Sequence, residues 1–442
     1  MSRRTTLLTL LAAAIAQCAA AGAAQAAPDP ATRQARQSPD WLARAVVYQV
    51  FPRNFSTEGT FDAITARLNE IDDLGADVLW LMPIHPLGEK RSKGTLGSPY
   101  AVRDFMAVNP RYGTLDDFRE LLASAHERGM KVIIDLVANH TAWDSVLIDQ
   151  PEFYVRDAQG EIQPPNEDWH DVAELDYDNP RLREYMHSVL EYWVGEIGVD
   201  GFRCDVAAEV PTSFWNEARA RLDQIDPGVL MLAEASEPGL LLEAFDFDYG
   251  WPLFFTLNQV MHDGRPASAL RDVWREQRAR FPQGARHLQM TDNHDETRAI
   301  ARFGVNGALA AQVLMLTLDG VPLFYNGMEA GDVTESGDPA LFEKLPIRWH
   351  GFRRPDLRAI YRELIALRRA NRAFTHGEVD WLDHSAPRDA VVIARRHPDG
   401  DFLVAVNLAN RQTQCRIDLA ETESFSQLEL PTAVNHGGGR LP

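Results

Sequence analysis

Short apolar runs recur along the chain at 45–51, 77–83, 130–137, 199–205, 229–234, 244–249, 287–291 and 321–325. They are apolar nearly throughout instead of alternating, the pattern of strands covered on both faces. Between or after them apolar positions return at helical spacing, as in 61–74, 114–128, 181–197 and 355–372. Strand followed by helix, eight times over, predicts a closed (β/α)8 TIM barrel. An open doubly wound sheet would want a glycine-rich phosphate turn after its first strand, and Phe51-Pro52-Arg53-Asn54-Phe55 contains no glycine.

Two stretches break the alternation. Residues 141–179 are rich in Asp, Pro and Trp and lack helical periodicity, too long for an ordinary βα connection. After 372 the pattern changes to a period of two, as in 390–395 and 401–407. The expected organisation is a barrel in two parts, 27–140 and 180–374, an inserted B domain at 141–179 and a small antiparallel β domain at 375–442. The first 26 residues form a separate unit: Arg3 and Arg4, an apolar core at 7–15, then Ala24-Gln25-Ala26. That order predicts a cleaved secretory signal and a secreted or periplasmic product without membrane attachment. Its core is shorter than the roughly 20 residues of a membrane span. Ser2-Arg3-Arg4 leaves both general and twin-arginine export open.

Of 442 residues 45% are hydrophobic and 24% charged, which suits a large packed core. Lys plus Arg number 44 against 64 Asp plus Glu, a net charge of −20 that disfavours nucleic acid and anionic lipid as partners and suits a neutral substrate. Beyond the signal only Cys204 and Cys415 remain, two thiols in different predicted domains and no disulfide framework. No His and Cys spacing suggests a transition metal.

The chemistry lies in acids at strand ends, where barrel sites form. The third run ends in Asp135-Leu136-Val137-Ala138-Asn139-His140, the fourth in Gly201-Phe202-Arg203-Cys204-Asp205, the fifth in Leu232-Ala233-Glu234, the seventh in Thr291-Asp292-Asn293-His294-Asp295. One such carboxylate reads equally as a cap or a loop ion pair. Four ending buried strands are hard to explain by packing. Arg203, two residues before Asp205, is expected on the same side of its strand and favours an ionised Asp205. Asp135 lies deeper and is expected to order the barrel.

Four strings, DLVANH at 135–140, GFRCDVAAEV at 201–210, MLAEA at 231–235 and TDNHDE at 291–296, occur in the order in which they mark the α-amylase family of glycoside hydrolases. The chain resembles that family over nearly all of its length beyond the signal. The resemblance implies Asp205 as nucleophile, Glu234 as general acid and base, and Asp295 as the carboxylate that stabilises the transition state. It implies that His140, Arg203 and His294 hold the sugar and the charges, that Tyr100 stacks on the sugar ring, and that Arg298 pairs with Asp295 or a sugar hydroxyl. Trp143, Trp169 and Tyr177 either line glucose subsites or pack the insert.

The implied reaction is retaining hydrolysis of α-1,4-glucosidic bonds in starch-derived glucans or maltooligosaccharides. It needs two carboxyls about 5 to 5.5 Å apart and a raised pKa at Glu234. The family also implies no organic cofactor and, in many members, a structural calcium, here on Asn139 with Glu174 or Asp176. Typical α-amylases have Lys-His where this chain has Ala208-Glu209; Glu209 either compensates at the calcium site or marks its loss. DVAAEV is similar to the motif of neopullulanases and cyclomaltodextrinases, whose N-terminal β domain has no counterpart before Trp41, so a monomer is expected. An α-glucosidase, a cyclomaltodextrinase- or neopullulanase-like hydrolase and an α-glucan transglycosylase share this chemistry and stay open. A non-catalytic relative would have lost one of the three acids, and a phosphate-binding barrel enzyme would want a glycine-rich phosphate site near its last two strands and often a Schiff-base lysine, neither of which Asn326-Gly327-Met328-Glu329 provides.

Overall fold

The computed structural model describes residues 29–350, 357–417 and 419; the predicted signal segment lies outside them. Eight parallel strands close into a barrel: β1 (Val47–Val50), β2 (Val78–Leu81), β3 (Lys131–Leu136), β6 (Gly201–Cys204), β7 (Leu230–Ala233), β8 (Phe247–Tyr249), β9 (His287–Gln289) and β10 (Val321–Tyr325), with β10 returning to β1. Each falls inside one of the eight apolar runs. Burial on both faces explains why those runs do not alternate. Val47, Val78, Trp80, Ile133, Leu230, Leu232, Phe247, Tyr249, Leu288 and Leu323 pack together inside the barrel. The intervening Tyr48, Leu79, Leu81, Val132, Ile134, Phe202, Met231 and Phe324 pack outward with the helices.

Register carries this alternation from strand to strand. Asp135 lies opposite Arg203, and Arg203 opposite Leu232, so Asp135 and Arg203 share the inward phase of Ile133 and Leu232. Gly201 starts β6 at φ +149°, and a Cβ there would lie 1.9 Å from the Leu230 carbonyl oxygen. Only glycine permits that approach between β6 and β7.

The helices depart from expectation in instructive ways. The predicted 61–74 helix is two, Phe61–Thr65 and Leu68–Leu74, the second ended by Gly75 in the left-handed conformation. Leu115–Glu127 begins on a capping box between Thr114 and Asp117. The predicted 181–197 helix is α-helical over Pro180–Glu191 and becomes a π-helix over Tyr192–Ile197, where the buried Trp193 donates to the Phe105 carbonyl at 2.7 Å. The last predicted helix runs over Arg358–Ala370. Ala299–Thr317 has the length and apolar character of a membrane span. It is broken at Gly304 (φ 70°, ψ 174°), and its later half is packed in the core.

The insert is less irregular than its sequence suggests. β4 (His140–Ala142) pairs antiparallel with β5 (Val172–Glu174), His140 opposite Glu174. Three antiparallel strands, β11 (Glu378–Trp381), β12 (Ala390–Arg396) and β13 (Phe402–Asn407), form the C-terminal sheet. Its Trp381, Val391, Ile393 and Val406 pack on Leu253, Leu257, Leu314 and Met315 of two barrel helices. Cys204 and Cys415 are free thiols.

Candidate active site

The inward phase delivers the chemistry to one end of the barrel. Asp205 and Glu234 directly follow the last residues of β6 and β7. Arg203, fully buried, stands between the acids: Nη1 lies 2.6 Å from Asp135 Oδ1 and 2.9 Å from Asp205 Oδ1, and Nη2 2.7 Å from Glu234 Oε1. The rings of Trp80, Tyr249 and Tyr100 surround its guanidinium at 5.3, 5.6 and 5.7 Å. Burial opposes its charge, but Asp135 and Glu234 more than offset this and hold the guanidinium protonated.

One cation does not neutralise this many carboxylates, so protons must be retained. Burial, with Asp205 beside it, pushes Glu234 up to about 7, against the pull of Arg203. Burial raises Asp205 as well, opposed by Arg203 and by its contact with Glu234, a contact that in turn raises Glu234. Burial also raises Asp135 to about 7. Asp295, at the cleft with its side chain 37% exposed, is pushed well above the carboxylate range by the surrounding walls and by Glu234.

Backbone geometry locks Glu234. Its Oε2 accepts from Val206 N at 2.8 Å, and Val206 has φ +37°, a strained conformation for a β-branched residue. Next to it, burial and Arg203 keep the His294 imidazole neutral. Gln49 Nε2 lies 2.7 Å from His294 Nδ1 and donates to it; the ring proton then sits on Nε2, which faces Tyr100 Oη at 2.6 Å and Asp295 Oδ2 at 3.2 Å. The Tyr100 ring stacks on the imidazole at an interplanar angle of 26°, with centroids 5.6 Å apart. Burial lowers His140 to about 4, so it too is neutral, with Trp169 5.8 Å away.

Asp205, Glu234, Asp295, Tyr100, His140 and His294 line one pocket of about 680 Å³. Trp169, Asp171, Lys93 and Phe342 are also part of its wall. Lys93 bridges the rim, its Nζ 2.9 Å from Asp171 Oδ1 and donating to the Asp168 carbonyl at 2.6 Å. Lys93, Gln49 and Val206 had no sequence signal, because each acts through where the backbone puts it.

The two arginines differ in outcome. Arg203 lies beneath the floor and holds the charges, as expected, without lining the pocket. Arg298 pairs neither with Asp295 nor with the pocket: Nη1 donates to the Asn326 carbonyl at 2.8 Å, Nη2 lies 3.7 Å from Asp332, and the guanidinium sits 4.2 Å from the Tyr325 ring centroid. As the residue before helix Ala299–Thr317, it is turned by the chain toward the loop after β10. Trp143 and Tyr177 are buried and donate to the carbonyls of His170 and Ala138, so only Trp169 of the three reaches the pocket.

Of the expected calcium ligands, Glu174 and Asp176 lie near each other and near Glu209. Asn139 Nδ2 faces His140 Nδ1 at 3.3 Å, Asp176 Oδ1 accepts from Asp178 N in its own turn, and burial with Glu209 and Asp176 nearby raises the Glu174 carboxyl. Among the described residues no three His, Cys, Asp or Glu gather as a metal site, whereas calcium takes six to eight oxygens.

The family model "Alpha amylase, catalytic domain" matches residues 49–235. The fold superposes on the crystal structure of an alpha-amylase from Lactobacillus plantarum with a TM-score of 0.79 and 34% identity, covering 86% of this chain and 92% of that one. Alpha-amylase MalA of Haloarcula japonica is 32% identical over 68% of this chain, which spans 46% of MalA's length. Neopullulanase 2 of Thermoactinomyces vulgaris is 28% identical over 88% of this chain and 73% of its own. At this identity and coverage the chain belongs to the alpha-amylase family of glycoside hydrolases.

Proposed function

We propose that the protein hydrolyses α-1,4-glucosidic bonds of soluble glucans and maltooligosaccharides with retention of configuration. The observation that carries this is the arrangement of charge across one pocket: Asp205 2.9 Å from the Arg203 guanidinium, Glu234 raised to about 7, both facing the same space. Asp205 attacks the anomeric carbon while Glu234 passes its proton to the departing glycosidic oxygen, leaving a glycosyl ester on Asp205. Glu234, now ionised, removes a proton from water as that water displaces Asp205, which restores both groups. Asp295 and His294 meet the sugar hydroxyls at the cleavage point, and Tyr100 and Trp169 offer apolar faces to the ring. No step passes through a metal.

The tests are direct. The first product should be the α-anomer by proton NMR, and initial β-anomer would overturn the mechanism. Maltoheptaose blocked at its non-reducing end should be cut as well as free maltoheptaose. Cleavage of the free chain alone, with glucose released, would instead make this an α-glucosidase. A cyclomaltodextrinase-like activity is the second reading, favoured by DVAAEV and the similarity to Neopullulanase 2; faster opening of β-cyclodextrin than cleavage of maltoheptaose would establish it. We place the enzyme outside the cytoplasm on the basis of residues 1–26, where Arg3 and Arg4 precede an apolar core and Ala24-Gln25-Ala26.

A further inference from the structure

We propose that Lys93 is a specificity-determining residue: its ammonium donates a hydrogen bond to a hydroxyl of the second glucose unit on the non-reducing side of the cleaved bond. This deepens the function proposed above and rests on it. Lys93 follows β2 and Phe342 follows β10, and both line the catalytic pocket. β2 and β10 flank β1, and β1 stands diametrically across the closed ring from β7, whose end bears Glu234. Glu234 passes its proton to the departing oxygen, so the leaving part of the glucan goes out on its side. The retained part extends toward Lys93 and Phe342.

This far wall is held rigidly. The buried Arg53 ties its two loops together, Nη1 donating to the Gly97 carbonyl at 2.9 Å and to the Leu341 carbonyl at 2.8 Å. Leu96 N donates to the Phe342 carbonyl at 3.0 Å, and Thr95 N to Glu343 Oε1 at 3.0 Å. A wall fixed in this way does not have to be ordered when sugar arrives.

An ammonium has three protons to donate. At Lys93 one meets Asp171 Oδ1 and one the Asp168 carbonyl, which leaves the third for a ligand in the pocket. The Lys93 side chain is 25% exposed against 6% for Asp171, so sugar can reach the lysine of the pair. The Phe342 ring centroid lies 6.0 Å from Lys93 Nζ. Donor and apolar face thus adjoin, matching the hydroxyl edge and C–H face of a pyranose. Because Asp171 already meets the charge, the site favours a neutral hydroxyl over an anion.

The experiment compares Lys93→Met with wild type on p-nitrophenyl α-maltoside and p-nitrophenyl α-glucoside. Release of nitrophenol from the maltoside fills both retained positions, and release from the glucoside fills only the reacting one. Lys93→Met keeps an unbranched stem and should lower kcat/KM for the maltoside by about tenfold or more, with the glucoside unchanged. The substitution also leaves Asp171, whose charge reaches His140, without its partner, but a structural effect of that kind acts on both substrates alike. Equal falls on both, or no change on either, would overturn the proposal. Calorimetric titration of the Asp205→Asn variant needs no turnover: maltose should bind more tightly than glucose, and adding Lys93→Met should remove about tenfold or more of that advantage. The two readings fail separately. No hydrolysis of any substrate, with the calorimetric loss still seen, removes the function and leaves the sugar contact; hydrolysis with the maltose advantage intact in Lys93→Met does the reverse.

Discussion

At the scale of single residues, Arg203 governs the site. It touches Asp135, Asp205 and Glu234 at once, so it sets both how close the acids stand and which of them keeps a proton. Arg203→Lys should retain the fold but lower kcat by about 100-fold or more, since one ammonium does not reproduce the planar fork that reaches three carboxylates. Asp205→Asn should reduce kcat by on the order of 10³-fold or more at unchanged volume, with a melting temperature no lower than wild type because a crowded negative charge is removed. Wild-type turnover in that variant would refute the nucleophile.

The raised pKa of Glu234, about 7, has two consequences of defined sign. As general acid it must be protonated, so kcat/KM should fall as pH rises through about 7, and Glu234→Gln should lack that limb. For stability, a carboxyl whose folded pKa exceeds its unfolded value favours folding at low pH, and that contribution is lost as pH rises to the folded pKa. Glu234→Gln should therefore be more stable than wild type at pH 8, by about 1–2 kcal/mol, with the advantage gone near pH 4 in paired thermal melts. The acids themselves were legible because they end buried strands. Arg298 was misplaced because spacing fixes a residue's position on the backbone and not the direction its long side chain takes. Val206 was invisible because backbone strain leaves no compositional trace.

At the scale of elements, hydrophobic runs located every barrel strand, since burial on both faces demands them. Elements too short to bury a face left no such signal. β4 and β5 have three residues each, and β11 is half exposed along Glu378–Trp381, so neither produced a readable period. The break between Phe61–Thr65 and Leu68–Leu74 keeps helical spacing on both sides and so read as continuous. Gly201 makes a testable element-level demand: Gly201→Ala drives a methyl into the Leu230 carbonyl and should cost about 3 kcal/mol or more. Soluble protein with a wild-type melting temperature would mean that β6 and β7 separate more easily than their register suggests.

At the scale of the whole molecule, protein contacts tie the barrel to the insert. β4 and β5 pair directly beyond β3, and Lys93 ties the loop after β2 to Asp168 and Asp171. Chelation by EDTA should therefore leave the melting temperature and maltoheptaose cleavage unchanged, and a fall of several degrees reversed by calcium would show that the ion assembles its own ligands. The inward phase of the strands has a consequence for how such chains can change length. Adding or deleting one residue within 201–204 would swap the roles of neighbouring side chains, so that Cys204 faced the substrate and the carboxylate pointed toward the helices. Loops past the strand ends face no such parity rule, so descendants of this chain can acquire new substrates by gaining or losing loop residues freely, while the short strands beneath can change only by exchange of one side chain for another.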